Sequence, residues 1–276
     1  AHGRLSRRRT RPIRIHKMTR AQYACYTSVF GDFERIWAPL NQEPTLESSV
    51  VTERPSPVKG WVTVTKDLEE YASPRLANRH QKMLFHETLR PDGFSVYIDA
   101  NVRPIANLEE LFVRFRNSGA DLGMYRHYGR SSVHAEADAC IKRNKVDNPD
   151  DVRHELAHYD EAGFPDASGM WEGSVIFKNH SAPRLSAAMH EWWDLYSTYQ
   201  TRDQFSLPFV IWKHGLTVYD LDTETPGREH YFVRLQHSSR GPLHTMARYL
   251  QARAPENTFW SWLHSLAGSL SSLARS

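Results

Sequence analysis

The stretch Phe94-Ser95-Val96-Tyr97-Ile98-Asp99-Ala100-Asn101 ("FSVYIDAN") decides the fold. A β-prone, largely apolar run enters an aspartate and an asparagine with no turn residue between. It reads as a buried strand over 94–98 that ends in oxygen donors. In open α/β sheets, ligands sit in the crevice at the carboxyl ends of the strands. An Asp-x-Asn there offers hard oxygens of the kind that hold Mg2+ or Mn2+. The plainer reading is that Asp99 only caps the following turn.

Helices and strands alternate on both sides of this run. Before it, "RLANRHQKMLFHETL" (75–89) has helical spacing at Leu76, Met83 and Leu84, with Arg79, His80 and Lys82 on other faces. After it, "NLEELFVRFRNSG" (107–119) is a helix stopped by Gly119. Further out, "YACYTSVFG" (23–31) reads as a buried strand followed by Asp32 and Glu34, and "WVTVT" (61–65) is a second β-rich run. "WEGSVIFKN" (171–179) is another strand. "PRLSAAMHEWWDLYSTY" (183–199) is a long helix with Leu185, Met189, Trp192, Trp193 and Tyr196 inward, and "SLPFVIWKHG" (206–215) is a buried segment. This alternation predicts an α/β fold with a largely parallel sheet. No internal repeat is present.

With 276 residues, 40% hydrophobic and 12% aromatic, the chain is globular and long enough for one large domain or two intimate halves. The net charge of +3 is unevenly spread. Residues 1–20 carry eight Arg or Lys and no acid, which leaves −5 for the rest. This arm is expected to be disordered. It suits an anionic lipid or nucleic acid surface, a solubilising tail or an organelle transit segment. Residues 241–276 are expected to form an amphipathic helical tail, with Phe259, Leu263, Leu266, Leu270 and Leu273 packing onto the body or a partner. No run of about 18 apolar residues is present. Two cysteines make no disulfide framework and suit a reducing compartment.

"HELAH" (154–158) matches the H-E-x-x-H signature of zinc hydrolases. Asn148 and Pro149 start the helix the motif requires. Its apolar stripe is Val152, Leu156 and Tyr159, which places His154, Glu155 and His158 on the wet face. The metzincin continuation to a Gly and a third His is absent from "YDEAGF". The match is read as accidental.

The segments "CYTSVFGDFERI", "NRHQKML", "VYIDANVRPIANLEEL", "YRHYGRSSVHAEADACI" and "GMWEGSVIFKNH" occur in that order, followed by "EWWDLYSTYQTRDQFSLPFVIWKHG". Over roughly 22–240 they resemble a glycosyltransferase family long grouped as a domain of unknown function, with members in bacterial polysaccharide clusters and in plant mucilage and pectin synthesis. The most specific block is Trp192, Trp193, Asp194, Arg202, Asp203, Gln204 and Ser206. The resemblance implies a single GT-A-like (Rossmann-like) α/β domain over 21–240, with a mixed, mostly parallel sheet flanked by helices. It also implies a nucleotide-sugar donor and a glycan or polysaccharide acceptor. The metal site, for Mn2+ or Mg2+, falls on Asp99 and Asn101 with His237 as a late ligand; Asn101 stands where a second acid is usual.

Other roles follow as expectations. Arg79, Lys82, Asp32, His127, Arg130 and Arg202 are the donor- and phosphate-binding candidates. Glu172 is the candidate base for the acceptor hydroxyl, and Asp203 is a catalytic candidate that organises acceptor or structure. The expected setting is cytoplasmic, at most peripheral to the inner face of the membrane beside other biosynthetic proteins, with nucleic acid not expected as a partner. Two alternatives stand beside this one: a zinc hydrolase built on HELAH, and a non-catalytic transferase-fold module recruited by its basic arm.

Overall fold

A computed structural model describes residues 22–31, 34–41, 43–55, 57–90, 92–166, 169–223, 228–235 and 241–273. The basic arm, Asp32 and His237 lie outside the described residues. Strand β1 (Tyr23–Val29) pairs in parallel with β2 (Leu46–Thr52) and with β4 (Phe94–Ile98), and β3 (Val62–Thr65) extends the β2 edge. Beyond β4 come β7 (Trp171–Asn179), β6 (Leu122–Arg126) and β8 (Val218–Asp220), giving the order β3-β2-β1-β4-β7-β6-β8. Only β7 among these runs against the others, antiparallel to both β4 and β6. A small ribbon of β5 (Val102–Pro104) and β9 (Phe232–Arg234) lies at the end of β4. The sheet is therefore mixed and mostly parallel, as expected.

Alternation along the strands sorts their side chains into two cores. Tyr26, Tyr97 and Ile176 enter one, with Trp192 and Phe209; Cys25, Val96, Ile98, Val175 and Phe177 enter the other, with Phe112 and Phe115. The first core is covered by α1 (Pro74–Leu84), α3 (Val133–Lys142), α4 (Pro149–Glu161), α5 (Leu185–Tyr199) and α6 (Asp203–His214). The second is covered by α2 (Glu109–Ser118). Both cysteines are buried and free.

Two features position the site. Helix α1 starts on Pro74, with the Ser73 hydroxyl accepting from Leu76 N–H. At its other end the buried Lys178 ammonium donates to the Lys82 and Met83 carbonyls and to Tyr26 Oη. The last turn of α1 is thus pinned to the sheet. Because β7 is reversed, its first residues lie beside the last residues of β4: Ile98 pairs with Val175, and Asp99 N–H donates to Ser174 O.

The short helix α7 (Arg228–Tyr231) precedes β9. The tail forms two helices, α8 (Gly241–Arg253) and α9 (Thr258–Leu273). Arg248 of α8 pairs with Glu34 at 2.7 Å, and Arg103 of β5 donates to Ala252 O and Glu256. On α9, Phe259 and Leu266 of the expected packing stripe are exposed, as is Trp262. Among the described residues no helix is long and apolar enough to cross a membrane.

Candidate active site

Two adjoining cavities open at the carboxyl ends of β1 and β4. One, of about 390 Å³, is lined by Ser28–Phe30, by Tyr97, Asp99 and Asn101, and by Asn78 and Arg79 of α1. The other, of about 380 Å³, is lined by Arg79, Lys82 and Asp99, by Glu172–Ser174 of β7, by Arg202–Gln204 at the start of α6, and by α3. Arg79 and Asp99 belong to both walls. Each cavity is within the range of small-ligand sites, and together they form a cleft at the place where the chain leaves β1 in opposite directions.

A buried charge network floors the cleft. Lys82 is 2% exposed, and its Nζ donates to Asp203 Oδ2 at 2.5 Å and lies 3.7 Å from Asp99 Oδ1. The ammonium also stands over the rings of Tyr97 and Trp192, 5.3 and 5.7 Å from their centroids. Arg79 Nε is 3.2 Å from Asp203 Oδ1, an ion pair without hydrogen-bond geometry, and this side chain keeps 31% exposure. Burial pushes the Asp203 carboxyl up, but Arg79, Lys82 and Arg202 outweigh it and hold the group well below the usual carboxylate range. So weak a base suits an organiser of cations better than an acceptor of protons. Asp203 is fixed further by Trp192, whose indole N–H donates to its backbone carbonyl at 2.9 Å. The Trp192 side chain is core, fully buried.

Asp99 does not use its side chain to cap the turn. Its carbonyl accepts from Val102 N–H, whereas its carboxylate accepts from Tyr97 Oη at 3.1 Å and faces Lys82. Asn101 is buried and ties down the strand beside it. Its Nδ2 donates to Leu235 O, and Leu235 N–H donates back to Asn101 O. Glu172 pairs with Arg228, accepts from Ser174 Oγ and lies 3.9 Å from Arg234. Arg130 pairs with Glu136, and His127 Nε2 lies 3.9 Å from the same carboxylate.

Of the sequence-predicted residues, Arg79, Lys82, Asp99, His127, Arg130, Glu172, Arg202 and Asp203 all line the second cavity, and Asn101 lines the first. Asp32 and His237 are not placed. Lys82 lies at the bottom of the cleft, because its partner Asp203 arrives from α6. Several residues went unassigned. Glu136 comes from a helix the sequence did not announce. Gly173 passes over Lys82 so closely that a Cβ there would lie 3.0 Å from Nζ. Gln204 clasps the start of β7 through both ends of its amide, donating to Trp171 O and accepting from Gly173 N–H. Its place in the Arg202–Ser206 block was the available signal.

The HELAH reading fails on geometry. Glu155, expected on the wet face, is 1% exposed and accepts from Tyr159 Oη at 2.5 Å and from the Thr201 hydroxyl. His154 is exposed, while His158 packs 5.6 Å from the Phe209 ring. Among the described residues no three His, Cys, Asp or Glu side chains gather as a metal-binding group.

No curated protein matches the chain. Among solved structures, the apo crystal structure of mouse xyloside xylosyltransferase 1 is similar at 14% identity, with a TM-score of 0.41 over 72% of this chain and 84% of that one. The family profile described as the TOD1/MUCI70 glycosyltransferase-like domain matches residues 8–222. That span covers most of the chain and takes in both cavities' strands, so the protein belongs to the TOD1/MUCI70 glycosyltransferase-like family and is a transferase of glycosyl groups.

Proposed function

We propose that the cleft takes a nucleotide-sugar, with the nucleoside in the cavity between β1 and β4 and the sugar and acceptor in the cavity under β7. The observation that carries this reading is the shared wall: Arg79 and Asp99 stand where the two cavities meet, which is where a diphosphate joins nucleoside to sugar. Arg79 binds the diphosphate through guanidinium nitrogens that Asp203 leaves open, while Lys82 adds fixed positive charge below it. Glu172 takes the proton of the acceptor hydroxyl, and Arg228 holds its carboxylate in place.

The residues also fit a divalent ion, Mn2+ or Mg2+, carried in with the donor. Asp99 would supply a carboxylate oxygen. Asn101, with its Nδ2 engaged by Leu235, has its amide oxygen left as the ligand atom. Substrate phosphates and water complete such shells when a protein offers only one or two oxygens. When bound, the ion would neutralise charge on the departing diphosphate.

The test is release of nucleoside diphosphate from a panel of UDP- and GDP-sugars, with and without Mn2+. Asp99→Asn should abolish turnover with a melting temperature within about 2 °C, because the amide oxygen can still accept from Tyr97 Oη. Full turnover in this variant would remove Asp99 from the site.

A further inference from the structure

Charge in the second cavity exceeds what the donor requires. Seven cations line it, against the four carboxylates of Asp99, Glu136, Glu172 and Asp203. Most of the cations are engaged: Arg79 and Lys82 by Asp203, Arg130 by Glu136, and Arg234 lies near Glu172. Three remain. Arg143 and Lys145, at the end of α3, form no ion pair with a described carboxylate, and Arg202, at the start of α6, acts on Asp203 through space without pairing with it. Three nitrogens of this cavity are buried without any hydrogen-bond partner: Arg79 Nε, which faces Asp203, and Arg202 Nε and His127 Nδ1, which face no carboxylate within ion-pair distance at those atoms. A buried donor left unpaired costs about 1–3 kcal/mol, so such groups in a cavity point to a ligand that pairs them.

Position separates these cations from the diphosphate. Arg143, Lys145 and Arg202 line only the cavity under β7, and the shared wall of Arg79 and Asp99 lies between them and the nucleoside cavity. A diphosphate diester carries two negative charges, which a divalent ion at Asp99 would balance without drawing on these three. Even without the ion, two charges leave an excess of cations.

We infer that the acceptor is an anionic carbohydrate, whose acidic group is read by Arg143, Lys145 and Arg202 while its hydroxyl faces Glu172. The inference rests on the donor reading above, since it needs the nucleoside to occupy the other cavity. A planar carboxylate and a phosphate are both matched by an arginine fork. The shared chemistry is therefore an oxyanion, supplied either by a uronate residue or by a phosphorylated sugar.

Calorimetric binding to the full chain at about 50 mM salt tests it, using an oligouronate, its carboxyl-reduced neutral counterpart, a sugar monophosphate, and UDP, GDP and CDP. At least one of the two acidic probes should bind ten-fold or more tightly than the neutral oligosaccharide, and which one does so names the oxyanion. In the charge-reversed variant Arg143→Glu/Lys145→Glu, two exposed positions, the preference should shrink to within about two-fold. Nucleoside diphosphate affinity should change less than three-fold. Equal binding of acidic and neutral probes overturns the inference, as does no binding of either. A parallel loss of nucleotide affinity in the variant also overturns it, by giving these cations to the donor. Failure of every nucleotide to bind the unmodified protein would instead sink the donor reading, so the two failures are distinct.

Discussion

Replacing Lys82 by methionine isolates the charge network from its packing. Methionine keeps the length and apolar stem, so little volume is lost. What disappears is the ammonium 2.5 Å from Asp203 Oδ2 and 3.7 Å from Asp99 Oδ1, at a side chain only 2% exposed. Removing one partner of a buried pair costs about 3–5 kcal/mol, since the other charge stays desolvated. Arg79 remains 3.2 Å from Asp203 and keeps contact with solvent, which places the cost at the lower end, about 3 kcal/mol. At roughly 2–4 °C per kcal/mol for a chain of this size, the melting temperature falls by about 6–12 °C. The pH dependence has a definite sign. Asp203 has a depressed pKa in the folded protein, so its stabilisation is present above its unfolded value of about 3.9 and is lost as pH falls through the folded value. Without Lys82 that depression lessens, and Asp203 takes up its proton at a higher pH. The gap between the two proteins is therefore full at pH 7 and narrows below about pH 4. Thermal melts by circular dichroism across pH 3–7 give both numbers. A fall under 2 °C at pH 7, or a gap that ignores pH, would refute Lys82–Asp203 as the pair that organises the cleft.

Two further substitutions separate site from scaffold. Gly173→Ala should cut turnover at least ten-fold with a melting temperature within about 2 °C, because the new methyl meets Lys82 Nζ at 3.0 Å and nothing else as closely; turnover within two-fold in a sugar-nucleotide release assay would show that the ammonium position does not matter. Glu155 is buried and its pKa is pushed up to about 7 despite hydrogen bonds from Thr201 and Tyr159. A raised carboxyl pKa gives stability that is present below the unfolded value and lost as pH rises through the folded one, here between about 4.5 and 7. Glu155→Gln, which stays neutral, should melt above the unmodified protein at pH 8 by an amount that vanishes near pH 5, in the same scanning fluorimetry run; a lower melting temperature for it at pH 8 would contradict the buried-carboxylate account.

Much of the fold was legible because local rules and tertiary structure agreed. Strands β1, β4 and β7 showed as β-rich runs, and α4 was announced by Asn148 and Pro149, where Asn148 Oδ1 accepts from Asp150 N–H. Strand β2 was missed because "LESSVVT" opens with polar residues and gains its place from neighbours on both sides. The reversal of β7 has no local signature, since a strand reads the same in either direction. The segment 206–215 is mostly helix α6 with Pro208 inside it, a residue that ordinarily argues against a helix interior. In the site, Asp99 was legible as an acid closing an apolar strand. The burial of Lys82 was not legible, because a charge on a helix ordinarily faces water and its partner Asp203 stands 121 residues away. Glu155, expected on the wet face, was misplaced for the same reason, its partner Thr201 lying 46 residues downstream.

The central claim is that the shared wall of Arg79 and Asp99 seats a sugar-nucleotide diphosphate. A crystal structure of the protein with whichever of UDP, GDP or CDP raises its melting temperature most, grown with Mn2+, tests it directly. The account predicts the nucleoside between β1 and β4, with the diphosphate within hydrogen-bond distance of the Arg79 guanidinium. A nucleotide bound elsewhere on the chain, or no stabilisation by any of the three, would contradict it.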